Sequence, residues 1–181
     1  MSSESQLLTE IPQELHDTKG RLFRCCLPLS ASLDPHGTVL EQLKSVAESR
    51  SLLMVSAPPY DEILRLTDGK VPDIAQLYLD AGFHFLHAPW VEKYSLENHG
   101  LLDDLVAQVV AHLNDGGAVA VHCHSGFGRG GVILAAVLGK LKPGDSSETV
   151  SRLQSVNAQF LAQPKSKGWT ISHLDRLNSN L

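Results

Sequence analysis

Two apolar runs separated by a glycine-punctuated loop constrain the fold of this chain more than any other feature. The first run, 117–121, is short and begins at a glycine, which predicts a buried strand. The second run, 132–138, is longer and predicts a buried helix. A buried strand that passes through a short loop directly into a buried helix is typical of an α/β protein with a parallel sheet.

Apolar spacing along the rest of the chain predicts further strands and helices in alternation. We predict strands at 22–27, 51–56 and 83–87, and helices at 37–48, 61–66, 73–81, 101–113, from 145 onward and at 169–177. Such alternation predicts an α/β fold with a central, mostly parallel sheet flanked by helices. Ligands on such sheets bind beyond the carboxyl ends of the strands, which is where Cys123 would lie.

Length and composition predict one globular domain. The chain has 181 residues and is 43% hydrophobic, which suits a single core. We predict an N-terminal tail at 1–20 and one domain at 21–181. No apolar run approaches the roughly 18 residues of a spanning helix, and the first residues lack the pattern of a signal peptide. We therefore expect a cytoplasmic protein.

The charge balance narrows the classes of partner. The net charge is −5 and the pI is about 5.9. An acidic chain is a poor candidate for nonspecific nucleic-acid binding or for polybasic attachment to a membrane. We expect neither nucleic acid nor membrane as a partner, and we expect a monomer.

The three cysteines do not form a disulfide framework. Their number is odd and two of them, Cys25 and Cys26, are neighbours, which fits a reducing compartment. We interpret this pair as small apolar residues of the first predicted strand, with a redox pair as the alternative.

The loop after the strand at 117–121 carries the chemistry. It places Cys123 and Arg129 six positions apart, beside the start of the predicted helix. Loop amides and a helix N-terminus favour anions, and they lower the pKa of a cysteine, as does a neighbouring cation. Arginine can grip two phosphate oxygens at once. Gly126 and Gly128 allow the backbone to turn its N–H groups inward. The loop therefore predicts a phosphate site that contains a nucleophile.

A cysteine that attacks a phosphate ester also needs an acid that protonates the leaving oxygen. The loop after the strand at 83–87 is the expected source, and Glu92 is the only carboxylate in 89–94. We predict that Glu92 is this acid and that it later acts as the base on the hydrolytic water.

The motif His122-Cys123-x-x-Gly126-x-x-Arg129 resembles the signature loop of the cysteine-dependent protein tyrosine and dual-specificity phosphatases. We call residues 122–130 the signature loop. Element order and size over 20–180 are similar to the compact dual-specificity branch, including the kinase-associated type. The resemblance implies that Cys123 is the nucleophile of a phosphocysteine route, that Arg129 clamps the phosphate and that His122 holds the loop.

The resemblance also implies the rest of the site and the substrate. The family's acid is an aspartate about thirty residues before the cysteine, and Glu92 occupies that place. It implies a phosphorylated protein substrate, carrying phosphotyrosine or phosphoserine/threonine, and no cofactor. The substrate would be bound by the loop residues His124, Ser125, Gly126, Phe127, Gly128, Arg129 and Gly130.

Two departures from the family pattern bear on turnover. Gly130 stands where the family usually has a serine or threonine whose hydroxyl helps the thiolate leave. Glu92 replaces the shorter aspartate. We therefore predict slow turnover and an accumulating phosphocysteine. The alternative is a phosphate-binding module with little catalysis.

Histidine spacing does not favour a metal site. His84 and His87 fall on opposite faces of a strand. His122 and His124 are separated by the start of the loop, so strand alternation does not bring them to one side. We expect no metal.

Overall fold

The computed structural model describes residues 7–89 and 98–179. Within these ranges the strands are β1 Leu8–Ile11, β2 Arg21–Cys25, β3 Leu52–Ser56, β4 His84–His87 and β5 Ala118–His122. The helices are α1 Thr38–Ala47, α2 Tyr60–Leu66, α3 Ile74–Asp80, α4 Asn98–Asn114, α5 Arg129–Leu141, α6 Ser146–Val156 and α7 Pro164–Ser179, with a short 3₁₀ helix at Gln13–Leu15. None of these helices has both the length and the apolar character needed to cross a membrane.

The strands form one sheet in the order β1-β2-β5-β3-β4. The β2–β5, β5–β3 and β3–β4 pairs are parallel, and β1 pairs antiparallel with β2. Helices α1, α2 and α3 contribute to the core on one face of the sheet, and α4 to α7 contribute to the core on the other. The predicted α/β fold with a mostly parallel sheet flanked by helices is confirmed.

The central strand β5 delivers the signature loop to one edge of the sheet. Its residues are fully buried because helices cover both faces, as expected for parallel strands. Val119 and Val121 pack into the core beneath α4 to α7, whereas Ala118 and Ala120 face the other core. The strand ends at His122, and Cys25 at the end of β2 lies in register with it. The carboxyl ends of β2 and β5 therefore meet at the signature loop.

The structure differs most from the sequence predictions near the two ends of the described chain. Part of the predicted tail forms β1, where Ile11 is fully buried. A four-residue strand carries too little periodicity to be recognised. The last helix begins at Pro164 rather than at 169. Its first turn is polar and gives no apolar stripe, although proline is well tolerated at a helix start.

Candidate active site

The signature loop joins the end of β5 to the first turn of α5. Gly128 is the N-cap of α5 and Arg129 is its first residue. The N-terminus of a thirteen-residue helix therefore opens on the loop. Its amides and its dipole favour an anion at this position.

The thiol of Cys123 lies inside the curl of the loop. Its residue is only 4% exposed, and its Sγ accepts a hydrogen bond from the amide of Gly126 at 3.2 Å. Gly126 has a φ of +85°, and a Cβ there would collide with the carbonyl oxygen of Cys25. Only glycine fits this turn, so the loop requires Gly126 in order to direct an amide at the sulfur.

A carboxylate from α2 holds the guanidinium of Arg129. Nη1 donates to Oε2 of Glu62 at 2.8 Å and Nη2 donates to Oε1 at 2.5 Å. Both side chains are 14% exposed, so this two-pronged pair is largely shielded from water. The hydrogen bonds from Arg129 lower the pKa of Glu62 below its ordinary value. The pair fixes the plane of the guanidinium beside the loop.

Glu62 is not among the site residues predicted from the sequence. It lies 67 residues before Arg129, in a short helix between two loops. No motif distinguishes it from the neighbouring Asp61.

His122 is a neutral imidazole with a defined tautomer. Its Nδ1 lies 3.2 Å from the carbonyl oxygen of Cys123, which can only accept, so Nδ1 carries the proton. Its Nε2 lies 2.8 Å from Oη of Tyr78 and accepts that hydroxyl proton. Burial lowers the pKa of His122 to about 4. His122 therefore joins α3 to the backbone of the nucleophile and carries no charge.

His124 reaches the segment that follows β2. Its Nε2 lies 3.3 Å from Oγ of Ser32 and 3.4 Å from Oγ of Ser30. Its carbonyl oxygen accepts from the amide of Leu27 at 2.8 Å. These contacts tie the signature loop to the chain after β2.

An arginine on β2 lies behind the loop. Arg24 is 1% exposed, its Nη2 donates to the carbonyl oxygen of Ser125, and its guanidinium lies 3.8 Å from the centre of the Phe127 ring. Phe127 also packs edge-on against Phe160 with ring centres 5.1 Å apart, and it is 8% exposed. Phe127 therefore mainly packs beneath the loop. Arg24 lies within the strand predicted at 22–27, and no functional role was predicted for it.

A pocket of about 370 Å³ borders the loop on the side of Ser125 and Phe127. Leu7, Leu33 and Phe127 contribute apolar wall, Ser32, Ser125 and Gln159 contribute polar groups, and Arg24 and Cys26 complete the lining. The pocket therefore lies on the β2 side of the loop, and neither Cys123 nor Arg129 is among its lining residues.

The other predicted residues fall into three groups. Glu92 lies outside the described residues. Gly130 is buried in the first turn of α5, where an added Cβ would lie 3.9 Å from Sγ of Cys123, in ordinary contact. Burial raises the pKa of Cys26 to about 12 and that of Cys25 well above its ordinary value, which suits small apolar thiols.

The histidines considered as metal ligands have other contacts. Nε2 of His87 lies 2.8 Å from the carbonyl oxygen of Pro58, and the ring of His84 packs edge-on against His112. Within 7–89 and 98–179, no three histidine, cysteine, aspartate or glutamate side chains are grouped so as to hold a metal ion.

Protonation of His122 is expected to weaken the fold in mild acid. Its pKa is about 4 in the folded protein, whereas a free histidine side chain has an ordinary pKa of 6.5. The unfolded chain therefore binds more protons between these values, so the stabilisation is complete above pH 6.5 and is lost as the pH falls through about 4. The gap corresponds to roughly 3 kcal/mol.

Urea denaturation between pH 7.5 and 4 measures this loss. His173, whose pKa is also about 4 because of burial, adds a decline of the same sign. The free energy of unfolding of His122→Gln should therefore decline by about 3 kcal/mol less than that of the native chain. Parallel declines in the two proteins would contradict the assignment.

Two known proteins are similar in sequence to part of the chain. A stretch of 63 residues is 35% identical to protein tyrosine phosphatase domain-containing protein 1 of Danio rerio, and it covers 35% of this chain and 9% of that protein. The protein of the same name from Mus musculus is 34% identical over 65 residues, which cover 36% of this chain and 8% of that protein. The alignments therefore span less than a tenth of these relatives.

Two solved structures share the fold over nearly the whole chain. A kinase associated phosphatase with serine in place of its catalytic-site cysteine has a TM-score of 0.77 at 16% identity, covering 96% of this chain and 97% of that one. PTPMT1 in complex with PI(5)P has a TM-score of 0.65 at 13% identity, covering 92% and 96%.

The family model described as "Polymorphic toxin system, DSP-PTPase phosphatase" matches residues 42–141, which is more than half of the chain. This range includes β3, the elements that carry Glu62 and Tyr78, and the whole signature loop. The chain belongs to this dual-specificity-type phosphatase family.

Proposed function

We propose that this protein is a phosphomonoester hydrolase that acts through a phosphocysteine on Cys123. The observation that supports this proposal best is the enclosed thiol, which accepts a hydrogen bond from the amide of Gly126. Arg129 begins the helix that opens on the same loop, and Glu62 fixes its guanidinium. A nucleophile, directed amides and an oriented cation are the parts that phosphoryl transfer needs.

In the first step, the thiolate of Cys123 attacks phosphorus and forms an S–P bond. The bond between phosphorus and the leaving oxygen breaks, and Glu92 protonates that oxygen. The loop amides and the guanidinium of Arg129 bind the remaining phosphate oxygens and stabilise their charge in the transition state. The neutral His122 keeps the backbone of the nucleophile in place.

In the second step, water attacks the phosphorus of the phosphocysteine. Glu92, now a carboxylate, accepts the proton of the water, the S–P bond breaks and inorganic phosphate leaves. Cys123 returns as a thiolate. Gly130 offers no hydroxyl to help this departure, so we propose that the second step is slow.

The substrate proposed is a phosphorylated protein, carrying phosphotyrosine or phosphoserine/threonine. The family model and the sequence relatives support this proposal, since they are described as dual-specificity and protein tyrosine phosphatases. The complex of PTPMT1 with PI(5)P makes a phosphoinositide the competing substrate to test.

A phosphate-binding module with little catalysis is the second candidate. The absence of a hydroxyl at Gly130 favours it, because the missing group acts on turnover and not on binding. Such a protein would retain phosphorylated ligands without hydrolysing them.

Hydrolysis of a generic aryl phosphate separates the two candidates. We expect measurable metal-independent hydrolysis by the native chain, none by Cys123→Ser and a reduced rate in Glu92→Gln. Phosphotyrosyl peptide, phosphoseryl peptide and phosphoinositide are then compared as substrates, and a phosphopeptide should have a higher kcat/KM than the phosphoinositide. An inactive native chain that still retains the phosphotyrosyl peptide would favour the binding module.

Restoring a hydroxyl at position 130 is expected to speed turnover. The space around Gly130 accepts a Cβ at 3.9 Å from Sγ of Cys123, so the Gly130→Ser hydroxyl would lie near the departing sulfur. We expect kcat to rise about tenfold or more, which is the scale of one hydrogen bond to a charged group. Gly130→Ala fills the same space without a hydroxyl and should leave kcat near the native value. Equal rates in the two variants would refute a role for the hydroxyl.

Removing the charge of Glu62 is expected to impair catalysis through Arg129. Glu62→Gln keeps the size of the side chain but cannot accept both guanidinium hydrogen bonds, so the fork loses its orientation. We expect kcat/KM to fall about ten- to hundredfold. The control is Glu41→Gln, an exposed carboxylate that pairs with Lys44. A lower KM in Glu62→Gln would show instead that Glu62 competes with phosphate for Arg129.

A further inference from the structure

Arg24 is a buried cation on β2, and its guanidinium contacts the signature loop. Its residue is 1% exposed, and burial lowers the pKa of its guanidinium. Burying a charge is unfavourable unless specific contacts compensate for it. The compensating contacts include the carbonyl oxygen of Ser125 and the face of Phe127. The chain therefore keeps a costly charge directly behind the candidate nucleophile's loop.

One peptide unit links Arg24 to the thiol. The carbonyl of Ser125 and the amide N–H of Gly126 belong to the same planar trans peptide, so they point in opposite directions. The carbonyl accepts from Nη2 of Arg24 on one side. The N–H donates to Sγ of Cys123 at 3.2 Å on the other. A guanidinium that fixes the carbonyl also fixes the direction of the amide.

The packing around Gly126 strengthens this link. A Cβ at Gly126 would lie 2.7 Å from Nε of Arg24 and would collide with the carbonyl oxygen of Cys25. The next residue, Phe127, stacks on the same guanidinium. Arg24 thus contacts three consecutive loop residues on the side away from the sulfur.

We propose that Arg24 is a positioning residue of the active site, which acts through the Ser125–Gly126 peptide to hold and polarise the amide that stabilises the Cys123 thiolate. The proposal deepens the proposed function and rests on it for the role of Cys123. A second fixed cation then assists the anionic nucleophile, from behind the loop, while Arg129 serves the phosphate.

Other charged and titratable groups also surround the thiol and are common to every variant compared. Among the described residues they come from β2 and its end, β5, the loop and α5, with one carboxylate from α2. They are Cys25, Cys26, His122, His124, Arg129 and Glu62.

The pH dependence of Cys123 alkylation tests the proposal without requiring hydrolysis. The native chain, Arg24→Lys, Arg24→Gln and Arg24→Met are treated with iodoacetamide between pH 5 and 9, and the peptide that contains Cys123 is quantified by mass spectrometry. We expect the rate at pH 6 to fall about tenfold in Arg24→Met, the scale of losing one nearby opposite charge. Arg24→Lys should retain more reactivity than the neutral donor Arg24→Gln.

Arg21→Met is the matched control, because Arg21 lies on the same strand but pairs with Glu10 at its exposed end. It should leave the alkylation profile unchanged. Thermal denaturation identifies variants that do not fold. If Arg24→Met is unfolded, the comparison of Arg24→Lys with Arg24→Gln decides, and equal profiles in these two overturn the proposal.

The outcomes separate this proposal from the proposed function. Ready alkylation of Cys123 at pH 6 without hydrolysis of any phosphate ester would contradict the proposed phosphatase activity. The Arg24 variants would still decide the role of Arg24 in that case. Unchanged alkylation in all folded Arg24 variants, together with active native protein, would contradict the role of Arg24 alone.

Discussion

The close approach of the signature loop to the end of β2 is the constraint on which the site depends. The parallel register places Cys25 beside His122, and the loop then curls so tightly that Gly126 lies against the backbone of Cys25. This contact directs the amide of Gly126 at the sulfur of Cys123. The sheet therefore does more than present the loop at its edge, since one of its strands shapes the loop from behind.

Charged groups and one neutral histidine surround that loop. Arg129 is held by both carboxylate oxygens of Glu62, so under the proposed function its guanidinium would meet phosphate in a fixed orientation. Such preorganisation stabilises a transition state more effectively than a mobile side chain does. His122 contributes position without charge, because burial keeps it neutral. The positive charge around the loop therefore comes from Arg24, from Arg129 and from the N-terminus of α5.

The sequence predicted the local features of the site and missed the distant ones. Cys123, Gly126 and Arg129 lie within one short motif between two strongly apolar runs, so spacing alone was informative. Glu62 and Arg24 reach the loop from 67 and 101 residues away, and a single charged residue in a short helix or strand has no periodic signal. β1 was missed because four residues are too few to show a pattern. The positions of α1 and α4 followed from their apolar stripes, whereas the polar first turn of α7 gave no such signal.

Intact-protein mass spectrometry during turnover tests directly whether Cys123 forms a phosphocysteine. The native chain is mixed with excess aryl phosphate and denatured rapidly while product is forming. Its intact mass is then measured, and the protein is digested so that the modified residue can be located. We expect a population heavier by about 80 Da, the mass of one covalent phosphoryl group, with the added mass located on Cys123. Product formation with the phosphoryl group on another residue, or product formation by Cys123→Ser at the native rate, would contradict it.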